Sequence, residues 1–217
     1  MRTKDLHAAA LNIEFLVISV IQGMALQMLA GYSMHVITTY QFEYWPYITS
    51  GFMLILIFWS QSILHALSFI RWPIDLLHTF LYFLASFIEV MAFSQVADPR
   101  NWFLFGSLFV LSIGMLYAYD FYMIKKSRKH FISGTHQKHL FNHIYRYHQR
   151  EMKFLVPAAL FFNTAAFLLL YQNSELFIEQ KYHVLIGGLQ SLSSLVILIA
   201  SLGLFKERLS LLAKVST

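Results

Sequence analysis

Two sets of polar side chains interrupt apolar runs at helical spacing. Asp75, His78, Tyr82, Ser86 and Glu89 fall at offsets of 0, 3, 7, 11 and 14, which is one face of an α-helix. Gln61, His65 and Ser68, at offsets of 0, 4 and 7, make a second such face just before it. Imidazoles, carboxylates and a phenol in this pattern relay protons, replace part of a cation's hydration shell or ligate a metal. In hydrocarbon a charged side chain costs roughly 3 kcal/mol on insertion scales, so helices keep one where it faces the bundle interior, pairs or lines water. The plainer alternative is that Gln61, His65 and His78 bond between helices as packing contacts.

The elements that position these residues are membrane helices. Of the 217 residues 58% are hydrophobic and 12% charged, and the mean hydropathy is +0.56. A soluble domain carries roughly 25% charged residues. The apolar residues come in runs of about 20, the length that crosses ~30 Å of hydrocarbon. The fold class is therefore all-α: a polytopic membrane protein with six transmembrane helices in one domain over residues 1–217. The spans are expected at about 8–30, 48–70, 73–95, 102–124, 154–171 and 183–205, with a basic, His-rich connection at 125–153. The first run, from Ala8 to about Ala30, exceeds the roughly 7–15 residue core of a signal peptide and is expected to be retained. Pro73 and Pro157 suit first helical turns, where a missing N–H costs nothing. Asp98 to Asn101 is a capping turn.

Charge fixes the expected orientation. Six spans put both termini and the connections after the second and fourth spans on one side. That side holds 14 of the 16 Lys and Arg residues: Arg2, Lys4, Arg71, eight between Lys125 and Lys153, and Lys206, Arg208 and Lys214. Only Arg100 and Lys181 fall on the other. The positive-inside rule makes both termini cytoplasmic in a plasma (inner) membrane. Loop segregation also accounts for the net charge of +5, so no nucleic-acid partner is implied.

Depth brings the two polar faces together. His65 lies six residues before Arg71 and His78 six after Trp72, so each sits roughly 9 Å into its helix from the turn. In an antiparallel hairpin the two imidazoles are level, with Gln61 a turn deeper and opposite Tyr82. Asp120 and Glu14 are expected in the same third of the bilayer, Asp75 at its edge and Glu89 toward the far side. Asp120 has an alternative partner in Lys125, and Asp75 in the first turn of its own helix.

His65 and His78 are the candidate metal ligands. Gln61, His65 and His78 are similar in spacing to the Asp-x3-His-x12-His stretch in the C subunit of copper membrane monooxygenases, a likeness that implies a metal on two imidazoles. Gln61 stands where that family has Asp, its Thr-Pro before the last His is missing, and the likeness ends within 18 residues. The basic connection holds a second histidine group, His136, His139, His143 and His148, with His139 and His143 at HxxxH spacing. It reads best as an interfacial helix with Leu140, Phe141, Ile144 and Tyr147 toward lipid. His148, Arg146 and Arg150 then face lipid headgroups, and the histidines are placed to sense pH. Small residues at four-residue spacing (Gly106, Val110, Gly114, Ala118) and on one side of the last span (Gly187, Ser191, Ser194, Ser201) read as helix packing.

Several chemistries are excluded. Cysteine is absent, so there is no thiolate site or Cys nucleophile. No P-loop, dinucleotide glycine fingerprint, GxSxG, HExxH or TVGYG-like filter occurs. The second to sixth spans contain no Lys for a retinal Schiff base. The first expectation for function is an ion channel or proton- or cation-coupled transporter. Its path runs along the hairpin through Gln61, His65, Asp75, His78, Tyr82 and Glu89, with Glu14 and Asp120 beside it. The second is an accessory or assembly subunit without chemistry of its own, and the third a membrane metalloenzyme at His65 and His78. All three place the chain in a lipid bilayer, as a homo-oligomer or a subunit of a membrane complex.

Overall fold

The computed structural model describes residues 3–68, 76–131 and 135–216, and leaves out some side chains within them. Asp75 and the side chains of Glu14, His65, His136 and His139 lie outside the described residues. The described chain is all-helical: α1 (Thr3–Thr38), α2 (Trp45–Ser68), α3 (Leu76–Phe93), α4 (Pro99–Phe131), α5 (Thr135–Arg150), α6 (Val156–Gln172) and α7 (His183–Ser216). Among the described residues five stretches are long and apolar enough to cross a membrane, as an integral membrane protein requires: Phe15–Thr38, Phe42–Ile63, Pro99–Lys126, Phe141–Gln172 and His183–Glu207. Leu77–Phe93 is apolar but shorter.

The helices outrun the expected spans. Residues 31–47 read as a loop, yet α1 continues to Thr38. It ends without glycine: Tyr40 takes a φ of 56°, and the amides of Tyr40 and Gln41 donate to the carbonyls of Ile37 (3.2 Å) and Val36 (3.0 Å). These are the two bonds of a Schellman stop, with a tyrosine where glycine is usual. The described residues of 125–153 are likewise helical. α4 extends to Phe131, and α5 runs into α6 through one π-helical turn, Glu151–Leu155. Pro157 explains that turn, because its ring would strike the carbonyl four residues back in a regular helix.

The neighbours define an incomplete circle. α1 packs on α2 and α3, α3 on α4, α4 on α6, and α2 on α7. α5 packs on α7 at the end bearing the basic segment, whereas α6 and α7 approach less closely than these pairs. The two small-residue stripes sit at the tight contacts. Gly114 faces Val156 on α6, and Gly187 faces Pro46 and Tyr47 on α2. Ser191, Ser194 and Ser201 of α7 bond to Pro46, Ser50 and Gln61 of α2. Among the described residues α2 and α3 do not lie backbone to backbone; α1 packs against both, and side chains such as Phe58 and Tyr82 (ring centroids 5.2 Å) bridge them.

Candidate functional site

α3 brings its stripe inward. Tyr82, Ser86 and Glu89 are all buried, Glu89 to 1% exposure. The Ser86 hydroxyl donates back to the Tyr82 carbonyl at 2.9 Å, a bond that keeps a hydroxyl satisfied inside an apolar helix. Glu89 Oε2 accepts from Gln22 Nε2 of α1 at 3.2 Å, while Glu89 Oε1 and Gln22 Oε1 have no hydrogen-bond donor. No basic group pairs with Glu89 among the described residues.

Glu89 stands on the wall of a cavity of about 320 Å³ where α6 diverges from α7. α3 contributes Glu89, Ala92 and Phe93, α4 contributes Trp102, Gly106 and Phe109, α6 contributes Ala159, Phe162 and Asn163, and α7 contributes Gln190, Ser193 and Ser194. A polar chain crosses one side of it. Trp102 Nε1 donates to Gln190 Oε1 (2.7 Å), Gln190 Nε2 to Asn163 Oδ1 (3.2 Å), and Asn163 Nδ2 to the Ala159 carbonyl (2.8 Å). Gly106 makes room for it, since a Cβ there would lie 2.6 Å from Asn163 Oδ1. Toward the end opposite the basic segment, the Tyr47 hydroxyl donates to the His183 carbonyl at 3.0 Å and lies 3.1 Å from His183 Nδ1. Tyr44 stacks on His183, and Tyr47 meets Trp102 edge-on.

Toward the basic end, His78 Nε2 lies 3.4 Å from Asp120 Oδ1, joining α3 to α4, and Asp120 is 2% exposed. Lys125 sits over the Phe121 ring instead. Gln61 turns away from Tyr82, which stacks on Phe58; its Nε2 donates to the hydroxyls of Tyr147 on α5 and Ser201 on α7, both at 3.3 Å. Gln61 and Tyr82 thus have different neighbours: Gln61 reaches α5 and α7, and Tyr82 stacks on Phe58.

The His-rich segment departs from an interfacial helix. His148 and Glu151 are buried, His148 beside the rings of Tyr117 and Tyr147, and Phe141 is buried as well. His143 Nε2 meets Glu207 Oε1 of α7 at 3.1 Å. Arg146 and Arg150 are exposed. The difference follows from continuity: α5 runs on into α6 through the π turn, and one of its faces packs on α4 and α7. Among the described residues no cluster of three or more His, Asp or Glu side chains is arranged to hold a metal. The pairing of His65 with His78 falls outside the described side chains.

The structure thus joins His78 to Asp120 and sets Glu89 on a cavity, while Gln61 belongs to a separate α2–α5–α7 contact. Asn163, Gln190 and Trp102 complete the cavity wall and Gln22 bonds to Glu89 beside it, none of them a site residue on sequence grounds. Asn163 and Gln190 were visible as lone amides in apolar runs, but a lone residue names no partner. No family model matches this chain, and neither does any curated protein or solved structure.

Proposed function

We propose that the chain is a proton- or cation-coupled membrane transporter in which Glu89 carries the ion. The observation behind this is a fully buried glutamate beside a cavity, with one carboxylate oxygen lacking a donor and no basic partner among the described residues. Burying a carboxylate alone is costly enough that it takes up positive charge, as a proton or as a bound cation. A group that gains and loses positive charge inside the membrane is the element that ion coupling requires.

The remainder of the path follows α3. Glu89 and His78 are 11 residues apart on one helix, roughly 16 Å, about half of the ~30 Å hydrocarbon core. Tyr82 and Ser86 lie between them on the buried face, and the His78–Asp120 pair leads toward the basic end. At the other end Trp102, Gln190 and Asn163 form one bonded chain, and Tyr47 and His183 a bonded pair. Such tied groups beside the cavity favour stepwise transport over an open pore. The path lies within one protomer, so an oligomer is not needed to build it. The same reading takes Leu77–Phe93 as part of a sixth span, with both termini cytoplasmic as the basic residues require.

Liposomes holding a pH-sensitive dye test the proposal. The unaltered chain is expected to conduct protons or to couple a pH gradient to cation uptake. Glu89→Gln keeps the side-chain size and a polar contact to Gln22, and is expected to abolish flux while the protein stays monodisperse. Absence of flux in the unaltered chain, or full flux in Glu89→Gln, rejects the proposal; stable co-purification with other subunits without flux favours the accessory role.

A further inference from the structure

The cavity beside Glu89 is aromatic as well as acidic. Phe93, Trp102, Phe109 and Phe162 line it with Glu89, and its other acceptors are largely engaged. Asn163 Oδ1 accepts from Gln190 and Gln190 Oε1 from Trp102. An inorganic cation such as Ca²⁺ or Mg²⁺ needs about six oxygen ligands, far more than this wall leaves uncommitted. An organic ammonium needs less: a carboxylate for its N–H groups and aromatic faces for its charge and body. The volume of about 320 Å³ is at the small end of ligand pockets, roughly 300–1,000 Å³.

We infer that the cavity binds a small primary organic ammonium ion with an apolar body, its nitrogen at Glu89 and its body among the four rings. This rests on Glu89 being the cation site of the transport reading and names the class of cation. The ammonium supplies the N–H donors that Glu89 Oε1 lacks; that oxygen is closed off from the cavity in this conformation, so binding turns the Glu89 carboxyl toward it, and the ligand's charge balances the carboxylate without a basic side chain. The apolar body suits a wall made chiefly of apolar side chains.

The test is equilibrium binding to the full chain in nanodiscs, with empty nanodiscs as the blank. The probes are 2-phenylethylammonium and its neutral counterpart 2-phenylethanol. Saturable binding of the ammonium at one site per chain is expected, weaker by about tenfold or more for the alcohol and for Glu89→Gln, the loss of one charge-assisted hydrogen bond. Equal binding of the alcohol and the ammonium, or no saturable binding, overturns the inference. If Glu89→Gln does not fold, the comparison of the two probes on the unaltered chain decides alone. Glu89-dependent proton flux without ammonium binding overturns this inference and leaves the transport reading; ammonium binding without flux does the reverse.

Discussion

At the scale of single residues, the contrast between the two carboxylates of the α3–α4 pair is informative. Asp120 has a histidine 3.4 Å away; Glu89 has an amide and an uncommitted oxygen. If the path runs through both, Asp120→Asn removes the charge that holds His78 and is expected to lower flux by about tenfold, since positioned acid–base groups contribute at least that much. Ammonium binding, which is read at Glu89, is expected to be unchanged; a parallel loss of binding would count against two separate stations. Much of this was legible in the sequence. The offsets of His78, Tyr82, Ser86 and Glu89 identify one face, and Tyr82, Ser86 and Glu89 on it are buried. What the offsets do not carry is the identity of the neighbour. Gln61 lies on a correct polar stripe, yet its partners Tyr147 and Ser201 come from helices far along the chain.

At the scale of elements, glycine positions separate close packing from spare room. A Cβ on Gly106 would lie 2.6 Å from Asn163 Oδ1, inside the amide chain that ties α4, α6 and α7. Nothing lies within 4 Å of a Cβ on Gly188 or Gly23. Gly106→Ala is expected to destabilise the protein by about 1–3 kcal/mol, as overpacking does, whereas Gly188→Ala is expected to stay within about 0.5 kcal/mol. Thermal unfolding of both in one detergent checks the difference, and equal melting temperatures would show that the Asn163 side chain moves aside freely. Five of the six expected spans fall on helices long and apolar enough to cross a membrane, because crossing hydrocarbon requires that apolar length. Their ends were not legible, for physical reasons. α1 stops at Tyr40 with no glycine to announce it, and α5 joins α6 through a π turn that absorbs Pro157. A polar composition at 125–153 implies departure from lipid but not departure from helix.

At the scale of the whole molecule, the orientation of the site depends on the number of crossings. With Leu77–Phe93 inside a sixth span, the connection at Ala97 lies on the outer side and Lys126 on the cytoplasmic side with the termini. If that helix does not cross, Ala97 stays cytoplasmic and Lys126 moves outside, carrying the basic segment against the positive-inside rule. The chain contains no cysteine, so single cysteines give an unambiguous readout. Thr39, Ala97, Lys126, Glu175 and Ser210 are all exposed and suit the purpose. In intact cells a membrane-impermeant maleimide is expected to label cysteine at positions 39, 97 and 175, and to reach positions 126 and 210 only after permeabilisation. Position 97 carries the decision: protection there, with labelling at 126, would set the Glu89 cavity and the His78–Asp120 pair in a five-span frame. The polar stripe of α3 would then not lead across the bilayer, and the transport reading would fail with it.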